Sequence, residues 1–321
     1  MMNRRTMILS STATVALAGV RPLAAQSWTS QPVMLINPFS AGSAVDVVAR
    51  LLADNLTARL GSPFLVENRT GASGVIGTEA VARAEADGTT FLVGSSGSMG
   101  INPSLLPDLP YDARSDFVAV SHVVSFPQAI CVAPRLGITT LDDLAELARS
   151  RPGELRFGSS GEGSTSHLAM ELVNAELGLD MIHVPYRGGS LAIQALISGE
   201  IDVATEGLPS LPGQIEAGEV IPIAVTSHDR SPNYPEVRAV SETIPGFDTA
   251  AWIILFARSG TDPQVVDTFA RELQSSLEAP EVRARLDEIG AVIHGRTQAD
   301  TVAFHQAELE KWARAVELAK R

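Results

Sequence analysis

Lysine is almost absent from this 321-residue chain. Lys311 and Lys320 are the only two, and the 24 basic residues face 37 acidic ones, for a formal charge of −13. No basic run occurs, so the electrostatic footprint that nucleic acid requires is missing, and no nucleic-acid partner is expected. Cysteine occurs once, at Cys131. That excludes an intramolecular disulfide framework and any multi-cysteine metal site, and Cys131 reads as a small buried hydrophobe. His122, His167, His183, His228, His294 and His305 show neither H-E-x-x-H nor close ligand spacing, so no metal is expected. The chain also lacks a P-loop and a G-x-S-x-G nucleophile elbow. Gly161-Glu162-Gly163-Ser164-Thr165-Ser166 opens like a dinucleotide fingerprint but carries Ser166 where the third glycine belongs, so no cofactor is expected.

What is present is globular: 45% of residues are apolar and 19% charged. The length suits about two domains, because single cores stop growing near ~250–300 residues. Arg4 and Arg5 precede an uncharged stretch, Thr6 to Val20, and then Leu23-Ala24-Ala25. This pattern predicts a secretory signal over residues 1–25, cleaved near Ala25 or Gln26. The stretch is interrupted by Ser10, Ser11, Thr12 and Thr14 and falls short of the ~20 apolar residues of a membrane span. Asn3-Arg4-Arg5-Thr6-Met7 fits a twin-arginine signal and an ordinary positive n-region equally. Removing residues 1–25 removes three arginines (Arg4, Arg5, Arg21) and no acid, which takes the formal charge from −13 to −13 − 3 = −16.

The body alternates short apolar runs with helical spacing. Val33–Ile36, Phe64–Glu67 and Phe91–Gly94 read as strands, and Val45, Val48, Ala49, Leu52 and Leu56 recur on one helix face until Gly61. Ser43 and Asp46 have capping-box spacing, with Asp46 as a structural residue at the positive end of the helix dipole. Gly71, Gly74 and Gly77 open a second helix. The pattern resumes with strands at Ala129–Ala133, Leu155–Gly158, Ile182–Pro185 and Ile201–Ala204, and with helices behind Thr140…Asp143, after the Ser159–Ser166 loop through Leu168, Leu172 and Leu177, and from Tyr186-Arg187-Gly188-Gly189 to Gly199. Ala251–Ala257 is a late strand; Pro263 opens a helix, and Thr297…Asp300 caps the last one. An α/β fold with two parallel or mixed sheets flanked by helices follows, with ligands expected outside the carboxyl ends of the strands, in the cleft between two units.

Five loops rich in Gly, Ser and Thr fall at those ends, at 38–46, 70–77, 95–99, 159–167 and 186–190. Most precede a helix, so they offer N–H groups and hydroxyls beside a positive dipole end, and Arg187 is their one cation. Neutral donors of this kind suit a carboxylate better than a clamped phosphate. The expected ligand contacts in these loops are Ser40, Ala41, Gly42, Ser43, Gly71, Ser95, Ser96, Ser159, Ser160, Ser164, Thr165, His167, Tyr186 and Gly188. For His167 two places are open, a donor in the cleft or a partly exposed residue at a helix start.

The run from Pro38 to Arg50 (PFSAGSAVDVVAR) resembles the P-x-x-P-G-G-x-x-D-x-x-A-R opening of the Bug family, the solute receptors of tripartite tricarboxylate transporters. The likeness continues through Val66–Gly74, Leu109–Asp112, Gly158–Gly161, Ser166–Leu168, His183–Gly189, Gly199–Asp202, Leu208–Ser210 and Pro245–Phe247, across the whole body. The resemblance implies a two-lobed type II periplasmic binding fold whose chain crosses twice, near 126–132 and 248–254. One lobe would comprise residues 26–127 plus 252–321, the other 128–251. It further implies a monomer in the periplasm that encloses a small carboxylate or dicarboxylate, with Phe39 walling the pocket and loops 39–42 and 159–166 holding a carboxylate from opposite lobes. Its partners would be the membrane subunits of a tripartite transporter, and no catalysis is implied. Ser43, Ala41, Thr70 and Ser73 depart from the family pattern, as does Thr205-Glu206-Gly207, where an aromatic, an aspartate and an asparagine are common. Glu206 either accepts from a ligand donor, repels a second carboxylate, or is a solvated loop acid. Two rival readings share the same loops: a receptor reporting to a membrane sensor kinase, and a secreted serine hydrolase.

Overall fold

A computed structural model describes residues 31–320; the expected export signal lies outside the described residues. The chain begins with β1 (Val33–Asn37), α1 (Ala44–Leu60), β2 (Phe64–Asn68), α2 (Val75–Ala82) and β3 (Thr90–Ser95). A π-helical turn at Ser96–Ile101 leads through α3 (Asn102–Leu105) to β4 (Phe117–Phe126). The next run is β5 (Gln128–Val132), α4 (Leu141–Ser150), β6 (Arg156–Ser159), α5 (Thr165–Leu177), β7 (Ile182–Pro185), α6 (Gly189–Ser198), β8 (Val203–Gly207), α7 (Pro212–Glu216) and β9 (Ile221–Val225). The chain closes with β10 (Ala251–Arg258), α8 (Pro263–Glu278), α9 (Pro280–Glu288), β11 (Val292–Ile293) and α10 (Gln298–Ala319).

These strands form two mixed sheets, ordered β11-β4-β10-β3-β1-β2 and β7-β6-β8-β5-β9. β1 runs parallel to β2 and β3, whereas β10 is antiparallel to both β3 and β4. The carboxyl ends of β1, β2, β3 and β4 therefore share one edge. In the second sheet β6, β7 and β8 are parallel and β5 is antiparallel to β8, pairing Gln128 with Gly207. Pro127 alone connects β4 to β5, so the two carboxyl-end edges are held against each other. The chain returns between Thr249, whose N–H donates to Thr226 O at 2.9 Å, and Ala251, which pairs with Phe126.

Local signals account for most helix starts. Ser43 Oγ accepts from Asp46 N–H and Gly61 ends α1 at φ +70°; Thr140 and Asp143 form a reciprocal capping box; Thr297 caps α10. Two expectations shift. The strand placed at Ile201–Ala204 begins at Val203, because Asp202 turns its carboxylate back onto Arg156 N–H and Arg135. β4 has no counterpart in the sequence reading: nearly every residue of Phe117–Phe126 is buried, so the alternation that marks a half-exposed strand is absent. Cys131 is fully buried in the second sheet, and burial, then the charge of Glu206, push its thiol up to about 12.

The first sheet is sandwiched between a layer that includes Leu52, Leu56, Phe269 and Leu273 and one that includes Val81, Met99, Tyr111 and Leu309. α10 joins both units. Leu309 packs with the first sheet, whereas Trp312, Ala315 and Val316 pack with Phe157, Leu168 and Val173 of the second. Where the two meet, the buried Glu308 carboxylate accepts from Trp252 Nε1 at 2.7 Å, from Trp312 Nε1 at 2.8 Å and from Lys311 Nζ, which also donates to Asp248 O on the return segment. Burial pushes this carboxyl up, and Lys311 and the indole of Trp252 oppose the shift. Glu308→Ala would leave two buried indole N–H groups without an acceptor and should cost roughly 3 kcal/mol in urea unfolding. Glu308→Gln, which keeps one acceptor, should cost less, and a loss under about 0.5 kcal/mol for the alanine variant would contradict this role.

Candidate functional site at the facing strand ends

On the first sheet the loop after β1 is tied down by one carboxylate. Asp46 accepts from Gly42 N–H at 2.9 Å, Asn68 Nδ2 at 2.8 Å and Arg50 Nε at 3.0 Å. Asn68 also donates to Phe39 O, and Asn37 Oδ1 accepts from Phe39 N–H, both at 3.0 Å. Burial alone would raise the Asp46 carboxyl; the hydrogen bonds from Arg50, Gly42 and Asn68 outweigh it and hold the group well below the usual carboxylate range. Gly42 sits at φ +82° with open space where a Cβ would project. Gly74 follows the same logic at φ +90°, with Phe39, Pro38 and Ser98 around its missing Cβ, so loops 38–42, 70–74 and 95–98 form one surface. Asn102 Nδ2 donates to Ser73 O at 3.0 Å, and Ser95 and Ser98 cap each other reciprocally.

The second sheet supplies the loop between β6 and α5. Its serines bond within the loop: Ser159 Oγ donates to Gly161 O at 3.1 Å, Ser164 Oγ donates to Gly161 O at 2.6 Å, and Ser166 Oγ lies 3.0 Å from Ser160 Oγ. His167 takes neither place left open for it. It is 4% exposed, and its Nδ1 accepts from Gly163 N–H at 3.1 Å, so it braces the loop from beneath. His183 stacks on it with centroids 3.7 Å apart and lies 2.7 Å from Ser159 Oγ. Burial, then repulsion from His167, hold His183 down at about 4, so it is neutral at neutral pH. Gly163 lies against the Leu105 side chain of α3, so this loop touches the first unit.

Donors left over from loop building mark the chemistry available. The N–H groups of Ser40 and Ala41 and the hydroxyls of Ser40, Ser96 and Thr165 have no partner among the described residues. Ser43, Ser95, Ser159 and Ser164 are spent on caps and turns, and Tyr186 OH donates to Glu200 at 3.0 Å. Gly71 and Gly188, at φ +135° and +123°, shape the starts of their turns. Glu206 sits against Gly189 at the start of α6 and accepts from Gly207 N–H at 2.8 Å; burial pushes its carboxyl up. It is a half-buried acid rather than a solvated one. The bracing roles of Asn37, Asn68, Ser98 and His183 were not expected, although Asn68 and His183 lie inside the family-like motifs and Ser98 inside the 95–99 loop. Among the described residues, no three His, Cys, Asp or Glu side chains group closely enough to hold a metal.

Two α/β units with donor-rich helix starts facing across a one-residue crossover define a two-lobed solute receptor. The chain belongs to the tripartite tricarboxylate transporter family receptors, whose model matches residues 48–320. The family is one of receptors rather than enzymes. BugT of Bordetella pertussis is 34% identical over 305 residues, 94% of each chain. Among solved structures, Rpa4515 of R. palustris with adipate is 33% identical with a TM-score of 0.75, covering 92% of this chain and 99% of that one. MatC of Rhodopseudomonas palustris with bound malate is 30% identical with a TM-score of 0.71, covering 89% and 99%.

Asp46→Asn should loosen the first loop and cost about 1–3 kcal/mol at neutral pH. Because the folded carboxyl lies below its unfolded value of about 3.9, the stabilisation is complete above roughly pH 4–5 and fades as pH falls toward the folded value. Acid-unfolding curves of the two proteins should therefore converge in strong acid, and a gap that stays constant there would contradict the clamp.

Proposed function

We propose that the chain is an exported periplasmic receptor that captures a small carboxylate-bearing metabolite between its lobes and passes it to the membrane subunits of a tripartite transporter. The observation that carries this reading is the pair of donor-rich loops, 39–42 ahead of α1 and 159–166 ahead of α5, presented by different sheets at facing edges. Adipate and malate in the two related structures support the ligand class. A carboxylate accepts up to four hydrogen bonds, and the N–H groups of Ser40 and Ala41 together with the Thr165 hydroxyl supply donors from both sides. Helix starts add favourable potential without a counter-charge. Binding to both lobes at once favours the closed arrangement, since a ligand shifts such an equilibrium only by its differential affinity.

Calorimetric titration of a carboxylate panel that includes adipate and malate tests the reading; saturable binding of at least one member is expected. Thr165→Val should weaken that binding by roughly 3- to 10-fold, the value of one hydrogen bond. Gly42→Val should weaken it further, because it fills the open approach and strains a left-handed backbone. No binding across the panel, or full affinity in both variants, would contradict the proposal.

A further inference from the structure

Behind the crossover lies a second concavity that the receptor reading does not use. β11 flanks β4 on the side away from β10, and β9 flanks β5 on the side away from β8. Between them a cavity of about 540 Å³ opens, with Pro127 in its wall, on the opposite side of the crossover from the Ser/Gly loops. Its first-sheet wall carries Ser125, His294 and Arg296, with Phe304 of α10 beside them; its other wall is the segment 227–232 that follows β9.

Of the two arginines around this cavity, one has no carboxylate partner. Arg230 is tied to Glu242 through two bonds, at 2.6 and 2.7 Å, and Asp229 is largely exposed beside His228. Asp248 accepts from Ala250 N–H at 3.2 Å, and neither it nor Asp229 has an arginine or lysine within 4 Å of its carboxylate among the described residues. Arg296, by contrast, lies over the Phe304 ring at 4.8 Å and has no carboxylate within 4 Å among the described residues. Ser125 Oγ lies 3.0 Å from the Nε2 atoms of both His122 and His294, which leaves His294 Nδ1 as a further polar atom in the same wall. Burial, then the charge of Arg296, hold His294 down at about 4, so Arg296 is the cation of that wall at neutral pH.

We propose that this hinge-side cavity is a second ligand site, taking a small monocarboxylate whose charge meets Arg296 and whose apolar body packs on Val292, beside the Phe304 ring that His122 and Arg296 already cover. The volume lies within the ~300–1,000 Å³ of small-molecule sites, and a guanidinium already stacked on an aromatic ring is pre-oriented for a carboxylate. Both sites share the crossover. Rotation that narrows one side widens the other, so a ligand here biases lobe closure and, by linkage, the affinity of the front site.

Benzoate titrated calorimetrically into the full exported chain tests the proposal, with histidine resonances followed by NMR in the unsubstituted protein. Saturable binding is expected, with the His294 resonances moving more than those of His167 and His183. Arg296→Gln should lose roughly tenfold or more in affinity and Arg296→Lys less, with thermal unfolding of each variant recorded as a folding control. Absence of saturable binding, an unchanged affinity in Arg296→Gln, or shifts confined to His167 and His183 would each overturn it.

Discussion

One connection governs the architecture: Pro127, the single residue between β4 of one sheet and β5 of the other. A link this short cannot let the sheets drift apart, because one residue spans at most about 3.6 Å. It pins together the two edges at which the strands end, and both edges carry loops that precede helices. The facing of two donor-rich surfaces is thus a consequence of topology. Proline suits the position, having a fixed φ and no N–H to satisfy, while its carbonyl accepts from Leu208 N–H at 3.0 Å.

The second anchor is α10, which packs on both units and centres on Glu308. In a chain with two lysines, Lys311 is placed here, joining the carboxylate to the return segment at Asp248. The crossover and the terminal helix together tie the two units at a narrow zone. The hinge-side cavity borders that zone through Pro127, Asp248 and Ala250.

Legibility in the sequence followed locality. Ser43 with Asp46, Thr140 with Asp143 and Thr297 with Asp300 act across three residues, so spacing alone revealed them, and the structure holds each. β4 was hidden because burial on both faces erases alternation. The division of labour within the Ser/Gly loops was hidden for another reason: composition counts hydroxyls but does not say which are spent. Ser159 and Ser164 turn inward to Gly161, and His167 serves as a brace, whereas Thr165 keeps its hydroxyl free. The hinge-side cavity draws on residues 125, 230, 294, 296 and 304, positions with no shared motif, and only the fold brings them together.

The acidic balance of the chain does not conflict with an anionic ligand. Net charge acts over screened distances of roughly 8–10 Å in water, while the proposed capture rests on short-range donors at helix starts. A crystal structure of the protein with its co-purifying ligand tests this most directly. A carboxylate is expected within hydrogen-bond distance of the Ser40 or Ala41 N–H on one lobe and of Thr165 on the other. A ligand held by an arginine away from these loops, or contacts confined to a single lobe, would contradict it.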